Sequence, residues 1–553
     1  MRKIIPLIVL MLLSVFFTKA QNVSQAENNL ALQLVNSQKD AIGISEELLG
    51  TSKVFYTYED VATGIRYVSL QQTYKGIPVY NQIKALSFRN GKLLSNFGTL
   101  DPSIEKTINV ASGIPSVTAE SAVQSALADR GFRASQMAIA INRKDEGRFV
   151  EFGNMGISRE NITAQLSWVP NELTKTYNLA WQVYIIPKTT SDYWMVRVNA
   201  VNNSILGMDN YTDYDNWGIP NENPNIKYPG FEYGNLPVNN IDNALKNTFD
   251  FKKIKIDDPS LVTTATYRVV PFPAESPLHP GGAPALRTDP WLNAGVVANA
   301  VTLKWHTGAA AADYDYSRSN NVWAYEDRTA PLNSGSIAKS ASSQTAFPNL
   351  TFDFVPDFTQ EPTVNTVPVP NQRWNITNLF YWNNIAHDIL YGYGFTEAGK
   401  NFQDDNLGRG GVGNDHVNAE AQDISGTNNA NFSTPADGSS GRMQMFLWTA
   451  PTPDRDGDVD NGIILHELGH GVSNRSNQGG TGCLGNAEQA GEGWSDYLGL
   501  MLTQNWATAT NSSGFNSPRG IGTYALNQPN NGPGIRPQRY CTDFTINNAT
   551  YAT

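Results

Sequence analysis

Two histidines four residues apart enclose a glutamate in the stretch Asp460-Asn461-Gly462-Ile463-Ile464-Leu465-His466-Glu467-Leu468-Gly469-His470. On a helix that spacing sets both imidazoles on one face, one turn apart. Two nitrogens then reach one Zn²⁺ at roughly 2.0–2.1 Å each, half of a tetrahedral site. Glu467 follows the first histidine directly, where it can act on a metal-activated water as general base. The local sequence favours a helix. Asp460 or Asn461 can cap it, and Ile463, Ile464, Leu468 and Val472 supply an apolar face. The chain has only six histidines, so a chance occurrence of this pattern is rare.

A third ligand separates the classes of zinc peptidase. A metzincin needs a glycine three residues after His470 and a histidine three beyond that; Ser473 and Ser476 stand there, which excludes that class. The other common solution is a carboxylate from a following helix. Glu488, Glu492 and Asp496 all compete for that role, and spacing alone leaves the choice open. One acid can bind the metal while another, a turn away, accepts the N–H of a ligating histidine.

The strings His466-Glu467-Leu468-Gly469-His470-Gly471-Val472-Ser473-Asn474-Arg475 and Gly491-Glu492-Gly493-Trp494-Ser495-Asp496 resemble those of the fungalysin metallopeptidases, relatives of thermolysin. The resemblance implies that Glu492 is the third zinc ligand and that Asp496 orients His466, leaving Glu488 a solvated helix residue. It also implies the fold class: an α+β protein, with an α+β prodomain followed by a thermolysin-like catalytic domain of two lobes, one strand-rich and one helical.

At 553 residues the chain is too long for one ordinary domain. Its content of 40% hydrophobic and 10% aromatic residues suffices for sizeable cores, and its formal charge of −11 argues against nucleic acid as a partner. Residues 1–20 read as a secretory signal: Arg2 and Lys3, the apolar run Ile4–Phe17, then Thr18-Lys19-Ala20 before a cleavage point. That run is shorter than the roughly twenty residues needed to span a bilayer, so a membrane anchor is disfavoured and a secreted, extracellular protein is expected. Residues 21–53 follow as an N-terminal pro-segment. Short alternating strands begin near Val54, including Ile65–Leu70 and Ile83–Phe88, with a hairpin turn at Asn90-Gly91. The string Leu70–Val79 resembles the fungalysin/thermolysin propeptide, assigned to 54–110. In 111–210, Thr118 can cap a helix through Ala119–Leu127. Strands follow at Leu179–Ile186 and Tyr193–Val201, an ending that resembles the PepSY half of such propeptides. Together these read as a prodomain that assists folding and blocks the cleft, an intramolecular inhibitor. Residues 211–263, rich in Asn, Asp, Pro and Gly, are read as a connector containing the activation cleavage region. The catalytic domain is assigned to 264–553, beginning just before Thr266-Tyr267-Arg268-Val269-Val270-Pro271, similar to the start of mature fungalysins.

Within that domain a helix is expected over Asn375–Tyr393, and its His387 is read as structural, as are His279, His306 and His416. The segment Asn428–Phe432 and the strand Arg442–Trp448 precede the histidine motif. Thermolysin-like enzymes place an Asn-Ala edge strand over the metal, so the resemblance makes Asn429 and Ala430 the substrate-binding candidates, pairing with an extended peptide by main-chain hydrogen bonds. The acid-rich run Asp454–Asp460 is a candidate Ca²⁺ loop, with Asp423 or Asp437 as further ligands, but Val459 stands where an EF-hand needs glycine. The two cysteines, Cys483 and Cys541, are candidates for one disulfide in an exported chain, the alternative being two inert thiols.

The expected activity is hydrolysis of peptide bonds in extended protein substrates by a zinc endopeptidase, with His466, His470 and Glu492 on the metal and Glu467 as base. The alternative is an exported zinc-binding module of the same fold without turnover. By the family comparison, the helical lobe is expected to be cut short at Thr553, with the oxyanion-stabilising histidine beyond it.

Overall fold

The computed structural model describes residues 25–60, 64–110, 112–134, 136–171, 174–214, 262–292, 297–308, 312–476, 490–510 and 517–549. The signal sequence, most of the connector, Cys483 and Glu488 lie outside these residues.

The first half is built on a ten-stranded sheet. Ser52–Asp60, Ile65–Tyr74, Ile77–Arg89 and Lys92–Gly98 form an antiparallel meander. Its Asn90-Gly91 turn has φ of 51° and 74°, left-handed at both positions as a type I′ hairpin requires. The other strands include Thr163–Asn171, Thr176–Ile185 and Trp194–Asn199, covered by the helix Ala119–Asp129. Thr118 caps that helix by accepting from the Ser121 amide at 3.2 Å. The two groups of strands meet at one parallel pair, Val79 with Trp168, and keep separate cores. Val68, Leu70, Leu86 and Phe88 fill one; Val123, Leu166, Trp168 and Trp181 fill the other.

The second half holds a five-stranded sheet in the order Thr212–Tyr214, Ala430–Ser433, Arg442–Met445, Val417–Ala421, Val322–Glu326. Its first member departs from the sequence reading, which placed Thr212–Tyr214 in the connector. These residues carry no local strand signal. They become a strand because an edge 217 residues further on, opposite Tyr214 at Asn431, offers free backbone groups. The expected strand Arg442–Trp448 is likewise divided, into Arg442–Met445 and Leu447–Trp448.

The helix Asn371–Gly392 is buried along nearly its whole length among Tyr267, Trp305 and Phe352, which explains its weak amphipathic pattern. Its polar residues have defined partners. Asn378 accepts from the Val270 amide at 2.9 Å and donates to the Asp458 carbonyl at 2.8 Å and to Asn461 Oδ1 at 2.9 Å. Asn461 in turn donates to the Ala274 carbonyl at 2.8 Å. These amides pin the start of the helix Asn461–Ser476, which carries the histidine motif.

The helix Gly491–Leu502, which carries Glu492 and Asp496, packs on this histidine helix. The close approach runs through Gly469, where an added Cβ would lie 2.8 Å from Ser495 Cα and Oγ. Replacing Gly469 by Ala gains about 1 kcal/mol of helix propensity, but overpacking against a neighbouring backbone costs about 1–3 kcal/mol. Overpacking wins, so Gly469→Ala is expected to lower the melting temperature and the bound zinc per chain. A melt and metal content equal to the parent's would show that the two helices are not held this close.

Candidate metal centre

His466 and His470 are 0% and 2% exposed, one turn apart, with ring centroids 4.8 Å from each other and planes crossed at 80°. Their Nε2 atoms lie 3.0 Å apart. Glu492 reaches both from the packed helix, with Oε2 at 3.4 Å from His466 Nε2 and Oε1 at 3.5 Å from His470 Nε2. Donors 2.0–2.1 Å from one centre at tetrahedral angles lie about 3.3–3.4 Å from each other. The two imidazole nitrogens and the Glu492 carboxylate, facing one ring with each oxygen, lie at spacings close to this, and the donor set of two imidazoles and a carboxylate suits Zn²⁺. Glu467 is fully buried beside His466.

The second nitrogen of His466 is engaged. Nδ1 and Asp496 Oδ1 are 2.7 Å apart, which directs Nε2 toward Glu492 and His470. Asp496 is itself held by Arg536, whose Nε donates to Oδ2 at 2.7 Å and Nη2 to Oδ1 at 2.9 Å, and by the Tyr540 hydroxyl. Arg536 Nη2 also donates to Glu492 Oε2 at 3.1 Å. Burial would push the Asp496 carboxyl up, but hydrogen bonds from His466 and Arg536 outweigh it and hold it at about 2. Sequence reasoning did not single out Arg536. Nothing local to it links an arginine there to an acid forty residues upstream.

Of the remaining candidates, Asn429 is half-buried just before the edge strand, and Ala430 opens that strand, fully buried and paired with Met445. Phe432 packs toward the histidine helix at Gly471, where an added Cβ would meet its ring at 2.7 Å. None of the other histidines joins the centre. His306 lies parallel to the rings of Tyr267 and Phe352, and burial pushes its pKa down to about 3. His387 pairs with Asp388, His416 with Asp404, and His279 with Ser276.

The acid-rich run does not gather into a cation cluster among the described residues. Asp456 Oδ2 instead accepts from the Asn375 and Gln422 side-chain amides, both at 2.6 Å, and Asp460 Oδ2 from the Tyr524 and Ala525 amides. Asp423, expected as a further ligand for that loop, sits with Asp327 and Glu420, where Lys339 and Arg442 already supply the positive charge. Asp437 lies 3.5 Å from Arg475. The pairing of Cys483 with Cys541 falls outside the described residues; the Cys541 thiol points to the Asp543 carbonyl at 3.5 Å.

Asp496 sets two expectations. Asp496→Asn is expected to weaken zinc binding about 10–100-fold in a chelator competition. Because its folded pKa lies below the ordinary value near 4, its stabilising contribution is full above about pH 4. That contribution is lost as pH falls through about 2. The difference in melting temperature between parent and Asp496→Asn should therefore be constant above pH 5 and shrink between pH 4 and 2. A difference independent of pH over that range would contradict this.

Comparison with known proteins bears on this site. A family model described as fungalysin metallopeptidase (M36) matches residues 266–553, and one for the fungalysin/thermolysin propeptide motif matches residues 53–100. The chain is 37% identical over 297 residues to extracellular metalloproteinase 2 of Trichophyton tonsurans, covering 53% of this chain and 43% of that protein. It is 40% identical over 292 residues to extracellular metalloproteinase MEP of Fusarium vanettenii, covering 52% and 42%. The matches thus span less than half the length of these relatives. Among solved structures, the Bacillus megaterium YpeB C-terminal domain matches at 13% identity over 35% of this chain and 67% of its own, with a TM-score of 0.18, too low to bear on the fold. With a family match across more than half its length, lying over the His466–His470–Glu492 cluster, the chain belongs to the fungalysin metallopeptidase family.

Proposed function

We propose that this protein is a secreted zinc-dependent endopeptidase made as an inactive precursor, with a two-lobed, thermolysin-like catalytic domain. What carries the reading is the convergence of His466 Nε2, His470 Nε2 and the Glu492 carboxylate, with Glu467 buried alongside. Zinc held by these three groups supplies Lewis-acid polarisation of the scissile carbonyl and lowers the pKa of water toward roughly 7. Glu467 takes the proton of the attacking water and passes it to the leaving amine. Asp496, gripped by Arg536, keeps the proton of His466 on Nδ1, so that Nε2 stays available. A zinc-binding module without turnover is the second reading. The half-exposed Glu492 disfavours it, since a purely structural site closes around its metal.

The substrate is an extended peptide added to the outer edge of Ala430–Ser433, with Asn429 at its end. Support comes from the molecule itself: Thr212–Tyr214 lies on that edge as an antiparallel strand, pairing Thr212 with Ser433, Asp213 with Phe432 and Tyr214 with Asn431. A segment of the chain's own first half thus fills the place a substrate strand would take, and the precursor is latent until that segment leaves. Matching a propeptide motif to residues 53–100 accords with this, as do the extracellular names of the relatives with export.

Casein hydrolysis is expected to stop on addition of 1,10-phenanthroline, and Glu467→Gln is expected to lose about 10²–10⁴-fold in kcat while retaining its zinc. Cleavage that survives the chelator, or that persists in Glu467→Gln, would rule the reading out.

A further inference from the structure

Strand alternation sorts the three residues that cover the substrate edge. Thr212 and Tyr214 turn toward the first half of the chain: the Thr212 hydroxyl donates to the Ser191 carbonyl at 2.7 Å and the Tyr214 hydroxyl to Asp192 at 2.9 Å. Asp213 turns the other way, on the same face as its partner Phe432, whose ring packs against the histidine helix. There Asp213 Oδ2 accepts a hydrogen bond from Asn474 Nδ2 at 2.5 Å. Asn474 lies one turn past His470, is 1% exposed, and is steadied by a second bond from Nδ2 to the Thr434 hydroxyl at 3.2 Å. Its Oδ1 is buried with no hydrogen-bond partner among the described residues. Nδ2 thus meets the covering side chain, while Oδ1 is left for a donor, a group costly to leave unmet.

From this geometry we infer that Asn474 is a specificity-determining residue, reading a short carboxylate or carboxamide side chain of the bound peptide at the position Asp213 fills in the precursor. The inference rests on the peptidase reading and adds to it the side chain that is recognised. Direction follows from the register. Phe432 meets Gly471 and Thr434 meets Asn474, so moving along the strand toward Ala430 moves back along the helix toward Glu467 and His466. A peptide running as Thr212–Tyr214 runs therefore passes Asn474 before it reaches the metal centre, and the residue read lies N-terminal to the scissile bond. Charge alone does not account for the recognition. The neighbouring Arg475 guanidinium is spent on Asp415 and on the Pro435, Lys400 and Ser439 carbonyls. Asn474 offers Nδ2 to a carboxylate or carboxamide oxygen and Oδ1 to a carboxamide N–H, so Asp and Asn are both accommodated, while Ala meets neither atom.

Two measurements test this, one of which needs no turnover. In the full-length Glu467→Gln chain, hydrogen exchange at Thr212–Tyr214 and Ala430–Ser433 is expected to quicken roughly tenfold in Asp213→Ala and to stay near the parent's in Asp213→Asn. Exchange in Asp213→Ala equal to the parent's would overturn the inference. In the active enzyme, peptides differing only at one residue before the cleaved bond are expected to show kcat/KM roughly tenfold higher for Asp or Asn than for Ala. That ratio is expected to fall toward one in Asn474→Ala. A parent ratio near one at every such position would also overturn it. An inactive chain would count against the peptidase reading alone, because the exchange measurement still decides the Asp213–Asn474 contact.

Discussion

A single carboxylate held between an imidazole and a guanidinium ties this site together. Asp496 accepts from His466 on one side and from Arg536 on the other, so three chain segments far apart in sequence are fixed to one another at atomic spacing. The charges are buried, and a buried ion is tolerated only where paired and hydrogen-bonded. Here both conditions hold, which is why the carboxyl stays ionised to about pH 2 despite its burial. Arg536 extends the same grip to Glu492, so the acid that completes the proposed metal centre is oriented by the group that orients the histidine. Close packing at Gly469 brings the helices within range, and hydrogen bonding then sets the angles.

The edge strand Ala430–Ser433 gives the site its second property. On one side it pairs with Arg442–Met445; on the other it offers a row of backbone groups that any extended chain can satisfy. Main-chain pairing is indifferent to side chains, so an edge suited to a substrate is equally suited to a segment of the precursor. In the proposed reading, side-chain discrimination comes from the floor beneath, where alternate residues of the added strand point. Asp213 and Asn474 meet there, while Thr212 and Tyr214 hold the strand to the first half of the chain.

Much of this was legible in the residues. The His466–His470 spacing, the Asn90-Gly91 turn and the Thr118 cap are short-range devices whose geometry follows from a few neighbouring residues, and each appears where expected. The choice among Glu488, Glu492 and Asp496 was not legible from spacing, because carboxylates at helical intervals are equivalent until a partner is packed against them. Family resemblance pointed to Glu492, and among the described residues it is the acid within 3.5 Å of both imidazoles. Arg536 and the strand at Thr212–Tyr214 were missed for a common reason. Neither carries a local signature; each acquires its role from a residue tens or hundreds of positions away.

The sequence by itself determined the candidate ligand types, their helical phase and the presence of a glutamate next to the first histidine, since a helix converts spacing in the chain directly into spacing in space. It also determined the alternating strands of the first half and the turns between them. Only the tertiary structure decided which acid faces the imidazoles, which cation holds it, and what lies across the edge of Ala430–Ser433. Those outcomes depend on helix packing and on strand pairing between distant segments, where the partner is chosen by unmet backbone and buried polar groups rather than by neighbours in the chain.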